Sequence, residues 1–158
     1  MRIMRRYLNG IAGFFFMVLL TACIGEDYDA GPPEIRLSVN EDVFSLKKAN
    51  VDWKTEDKEF KNKVENILTL ASEQKEIKVS PNQSAELILL ENKEDGGEYT
   101  DEVIKVSLWK GSEEIEVTTK SSTDYSFSFP SDPGEYVLEV DFRTKNGSSQ
   151  YVGKIILK

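Results

Sequence analysis

Residues 131–142 read "SDPGEYVLEVDF", and this stretch decides the fold class. Asp132, Pro133 and Gly134 are turn formers, so the chain changes direction there. Then Tyr136, Leu138, Val140 and Phe142 recur at every second position, with Glu139 and Asp141 between them. A period of two is one face of a strand, so four large apolar side chains face a core while two acids face outward.

The same alternation extends in both directions. Downstream, "KNGSS" carries an Asn-Gly hairpin turn and "QYVGKIILK" returns as the last strand. Upstream, "YSFSF" puts Tyr125, Phe127 and Phe129 on one face. "EIEVTT" precedes it, across the turn around Lys110-Gly111-Ser112 from "EVIKVSLW", which itself follows the Gly96-Gly97 loop. "AELILLE" and "EIKVS" are split by "PNQS". Further back, "IRLSV" aligns Ile35, Leu37 and Val39, and "DVFSL" leads to "NVDW". Strands at such regular spacing predict a sandwich. The period changes once: Phe60, Val64, Ile67, Leu68 and Ala71 follow a helical stripe, predicting a helix over 58–72 capped by Thr55 or Asp57, with an ordered loop as the alternative.

"DPGEY" resembles the D-x-G-x-Y tyrosine corner that opens strand F of immunoglobulin-like sandwiches. The resemblance implies a buried Tyr136 whose hydroxyl bonds to nearby backbone. Disulfide-bearing relatives place a cysteine two residues later; Leu138 stands there, which fits a sandwich without a disulfide. The expected fold is mainly β, an immunoglobulin-like antiparallel β-sandwich over 34–158 with a possible short helix.

The amino-terminal segment reads differently. Arg2, Arg5 and Arg6 precede the apolar run "IAGFFFMVLL", and Thr21-Ala22 lead to Cys23, the one cysteine of the chain. That order is the layout of a secretory signal peptide over 1–22. The apolar run is shorter than the roughly 20 residues that a membrane-crossing helix needs. Leu20-Thr21-Ala22-Cys23 resembles the lipobox of bacterial lipoproteins. The resemblance implies lipidation of the Cys23 sulfur and cleavage before it, leaving the protein anchored to the membrane at its extracytoplasmic face. Residues 24–33, "IGEDYDAGPP", read as a tether following the lipidated cysteine, its Glu26, Asp27 and Asp29 a solvated spacer rather than a chelate.

Cleavage would remove three arginines and no acid, leaving 17 basic against 28 acidic side chains, a formal charge of −11. Such a surface repels nucleic acid. With no histidine and its cysteine lipidated, the chain lacks Ser-His-Asp, Cys-His and histidine-based metal sites. Three S-x-x-K matches (Ser45/Lys48, Ser72/Lys75, Ser107/Lys110) have no companion motifs. No cofactor is expected. Glu91–Glu102 fails as an EF-hand because Lys93 occupies a ligand position, although Glu94, Asp95, Glu98 and Asp101 are candidates for a looser cation site. Trp109 falls on the polar face of its strand, so Trp109, with Trp53 or Tyr99, is a candidate platform for a sugar ring or a protein partner, unless a bulge or helix covers it.

"VSLWKGSEEIEV", "FSFPSDPGEYVLEVDF" and "NGSSQYVGKIIL" are together similar to the carboxy-terminal half of small lipoproteins of Gram-positive bacteria, with a lipobox, a Pro-rich tether and a seven-strand sandwich. Val51-Asp52-Trp53 departs from their aromatic-Trp segment. With no settled activity, that family implies architecture and address rather than a site. The expected function is a non-catalytic binding module held at the membrane through Cys23, with a protein or glycan partner in the cell envelope. The alternatives are an envelope hydrolase using paired carboxylates and an accessory subunit of an envelope complex.

Overall fold

Tyr136 makes the bond that its motif requires. Its hydroxyl donates to the Asp132 carbonyl at 2.7 Å, and the residue is 1% exposed. The computed structural model describes residues 31–56, 58–91, 99 and 101–158. From the corner runs β10 (Gly134–Thr144), the longest strand with β11 (Gly147–Leu157), and the two pair along their whole length. At their hairpin, Gly147 has φ 143, and a Cβ there would lie 2.1 Å from the Asp52 carbonyl oxygen, so only glycine fits.

The remaining elements are β1 (Glu34–Val39), β2 (Asp42–Ser45), β3 (Lys47–Lys54), β4 (Glu59–Asn62), α1 (Ile67–Ser72), β5 (Glu76–Val79), β6 (Ser84–Leu90), β7 (Val103–Lys110), β8 (Glu113–Val117) and β9 (Ser126–Ser128). Two sheets form the sandwich. One has the order β2-β1-β6-β9; the other runs β4-β3-β11-β10-β7-β8, with β5 also on β11. All pairings are antiparallel except β5 on β11, which is parallel. Strands β3 and β5 share one edge of β11: β3 covers residues 147–152 and β5 covers 154–157. Between them they cover that edge of β11 except at Gln150 and Gly153.

The predicted inward faces meet in one core. Ile35, Leu37 and Leu87 from the first sheet pack with Leu108, Leu138, Val140 and Phe142 from the second. Trp53 is fully buried, stacked on Phe142 at 5.9 Å between ring centroids, with Tyr99 edge-on to both.

The predicted helix over 58–72 ends where expected, at Ser72, but its start is corrected. Residues Glu59–Asn62 are β4, paired with β3, and the helix is confined to Ile67–Ser72. Its cap is Asn66, whose side-chain oxygen accepts from the Leu68 and Thr69 amides. Thr55 instead closes the β3–β4 turn, its hydroxyl bonded to both the amide and carbonyl of Lys58. Asp57 lies outside the described residues. The helical spacing misled because its members serve two cores: Phe60 packs toward the sandwich interior, whereas Val64, Ile67 and Ala71 pack on the outer face of the larger sheet with Ala49 and Val152.

The tether boundary also moves. Gly31, Pro32 and Pro33 are buried. Their three carbonyls accept in turn from Tyr99 (2.8 Å), Lys48 (3.4 Å) and Tyr151 (2.5 Å). Burial pushes the Tyr151 hydroxyl pKa up, which keeps it a donor, and Ser149 donates to it in turn. The folded body therefore begins at residue 31 at the latest.

Tyr136→Phe removes one hydroxyl bond and leaves the Asp132 carbonyl short of a partner. It should lower unfolding free energy by about 1 kcal/mol. Urea denaturation should show a lower midpoint with an unchanged slope.

Candidate functional site

The polar face of the larger sheet is built by an irregularity in β3. Val51 pairs with Ser149 and Lys48 with Tyr151, so two residues of β3, Ala49 and Asn50, stand opposite the single Gln150. This is a β-bulge, and it re-aims side chains. Ala49, Val51 and Trp53 would share a face in a regular strand. Here Val51 and Trp53 point into the sandwich while Ala49 joins the outer cluster under α1. Asn50 is released toward the outer face and donates to Gln150 at 2.6 Å.

From that pair a chain of hydrogen bonds crosses the sheet. The Val64 amide donates to Asn50, Gln150 donates to Glu139, and the Trp109 indole N–H donates to the other oxygen of Glu139. Glu139 is only 8% exposed, and both its donors are neutral. Asn62 anchors the crossing segment by donating to the Ala49 carbonyl. Every member of this network has fixed neighbours, so it forms a rigid floor.

Above the floor, where the chain passes from β4 toward α1, lies a groove of about 520 Å³ between residues 61–64 and the ends of β10 and β11. Asn50, Ser148 and Gln150 line its base, and Asp52, Asp141, Arg143, Lys61 and Lys63 its rim. Asp141 is half-buried, and burial raises its pKa; the positive charges of Arg143 and Lys105 act against that, while Glu114 adds to it. Lys105 is committed elsewhere, paired with Glu114 at 2.9 Å and Glu116 at 3.7 Å. Lys61 is paired with Glu59 at 2.7 Å. Among the described residues the side chains of Asp141, Arg143 and Lys63 make no hydrogen bond or ion pair.

The aromatic candidates do not come together. Trp53 has no face open to a ligand, because it lies fully buried beside Val51 in the core, and Tyr99 is bound up with it and with Gly31. Both are corrected from ligand platform to core and clamp. Trp109 stands on the opposite face of the same sheet, half-buried, with its N–H spent on Glu139. Of the cation candidates, Asp101 is exposed with φ 56, and Glu94, Asp95 and Glu98 lie outside the described residues, as does Cys23. Among the described residues no group of three or more acids, cysteines or histidines is placed to hold a metal ion. No described helix is long and apolar enough to cross a membrane. Asp141 was legible only as an outward position; nothing local in the sequence marks it or Arg143 as sharing a groove with residues 50–64.

No protein-family model matches the chain, and no curated protein matches it.

A carboxyl group whose folded-state pKa is raised binds its proton more tightly when folded than when unfolded. Its ionised form therefore costs stability at neutral pH, and the cost disappears as pH falls through the raised value and then the ordinary carboxylate range. Asp141→Asn should raise the thermal midpoint at pH 7. The gain should shrink on acidification and vanish below the carboxylate range, as read by calorimetry across pH.

Proposed function

We propose that this chain is a lipoprotein of the bacterial cell envelope whose sandwich acts as a non-catalytic binding module, with the groove of Asn50, Asp141 and Arg143 as its ligand seat. The observation that carries the reading is the pairing of a hydrogen-bonded floor with the side chains of Asp141, Arg143 and Lys63, which among the described residues make no hydrogen bond or ion pair. Stability alone would not favour a half-buried, unbonded carboxylate at Asp141.

The clamp on residues 31–33 supports the tethered geometry. Gly31 is held by Tyr99, which rests on Trp53 and Phe142, and the groove residues Asp52, Asp141 and Arg143 are sequence neighbours of those two. The chain thus enters the body at the end that carries the groove. From a lipidated Cys23 to Gly31 is eight residues' advance, at most about 28 Å when extended. The groove would then work close to the lipid surface, on something that the envelope presents there.

A second reading, an envelope hydrolase, has one observation in its favour: Asp52 and Asp141 line the same groove, and burial raises Asp141. It requires turnover of cell-wall glycans or peptides by the full chain, lost in Asp141→Asn. Absence of turnover leaves the binding module.

Anchorage is tested by expressing the chain in a bacterium with an alkyne-palmitate label. The wild-type chain should be labelled and sediment with membranes, and Cys23→Ser should be unlabelled and move to the soluble fraction. A Cys23→Ser chain that still sediments unchanged would refute the lipid anchor.

A further inference from the structure

We propose that the groove recognises a small dipolar ligand, its ammonium group held by Asp141 and its anionic group by Arg143 and Lys63. This rests on the reading of the groove as a ligand seat and names the chemistry that the seat would select.

Charge complementarity decides the class. A simple cation would suit Asp52 and Asp141 but meet Arg143 and Lys63 on the same rim. A simple anion, such as phosphate, would meet the reverse conflict. A ligand that carries both signs satisfies both sets at once. Spacing agrees: Asp141 and Arg143 lie two residues apart on one strand, on the same face, about 7 Å between Cα atoms. Side chains of that length can converge on charges about 4–7 Å apart. The rim groups are available, since among the described residues the side chains of Asp141, Arg143 and Lys63 make no hydrogen bond or ion pair, whereas Lys61 and Lys105 are already paired.

The base contributes orientation. Ser148 and the amides of Asn50 and Gln150 lie beneath the rim. Because Asn50 and Gln150 bond to each other and Gln150 to Glu139, their remaining polar atoms are held in fixed directions. Among the described residues no aromatic side chain lines the groove, so they offer no platform there for stacking a sugar ring. Two sources supply the required dipole: the terminus of a short peptide, and a lipid headgroup that joins a phosphate to an ethanolamine.

The test titrates the full chain in detergent micelles with four probes, following amide NMR shifts and heat. Dialanine and glycerophosphoethanolamine are dipolar; N-acetyl-dialanine keeps only the anion and dialanine amide only the cation. At least one dipolar probe should shift the Asp141, Arg143 and Ser148 amides and bind about tenfold tighter than the single-charge probes. Asp141→Asn and Arg143→Gln should each weaken it about tenfold, with Lys63→Gln as a third variant should either misfold. Preference for dialanine assigns the peptide source, and preference for glycerophosphoethanolamine the headgroup. No dipolar binding, equal binding of single-charge probes, or full affinity in all three variants overturns the proposal. Photo-crosslinking from Ser148 in intact envelopes separates the two levels: a captured partner with no dipolar binding refutes the ligand class and leaves the binding module standing.

Discussion

Strand β11 has one edge shared by two strands, and the rest of the architecture is arranged around that sharing. The parallel contact with β5 adds residues 76–79 to the larger sheet beside the end of β11. The antiparallel contact with β3 brings in residues 34–75, which extend both sheets: β1 and β2 widen one, β3 and β4 the other. Once β3 lies on β11, the chain must return over the polar face to reach β5 on the same edge. That return places α1 on Val152 and leaves the groove beneath residues 61–64. The bulge opposite Gln150 sets which side chains look into it.

The same pairing joins the groove to the chain's point of entry. Trp53 lies opposite Gly147 in the β3–β11 register and stacks on Phe142, giving Tyr99 the surface from which it holds Gly31. Lys48 and Tyr151, also register partners across β3 and β11, hold the next two carbonyls. Three consecutive backbone acceptors are thus satisfied by side chains that the β3–β11 pairing positions. A buried Gly-Pro-Pro segment lacks two of its amide donors, so its backbone interacts chiefly through carbonyls, and each finds a donor.

Much of the sandwich was legible because its signals are local. The turn residues Asp132 to Gly134, the alternation from Tyr136 to Phe142 and the Asn146-Gly147 hairpin each act within a few residues. The β4 strand was not legible: Phe60 and Val64 have helical spacing by coincidence, since they serve cores on opposite sides of one sheet. Trp53 was proposed as a ligand platform on residue type alone, although its alternation with Asp52 and Lys54 already puts it beside Val51 on the inward face. The groove was beyond reach, since its residues come from β3, β4, the segment after β4, β10 and β11, and only pairings of high sequence separation bring them together. Asp141 was correctly read as outward, but its partial burial comes from those distant neighbours.

The account stands or falls on the register of β3 against β11. Interstrand NOEs on the isotope-labelled full chain test it most directly. The account predicts contacts joining Ser148 with Asp52 and Gly147 with Trp53, together with contacts of Asn50 to Gln150 across the bulge. It also predicts slow amide exchange through Val51 and Trp53, comparable to that of β10. A regular β3 without the bulge, or β3 amides that exchange like a loop while β5 stays paired to β11, would contradict it.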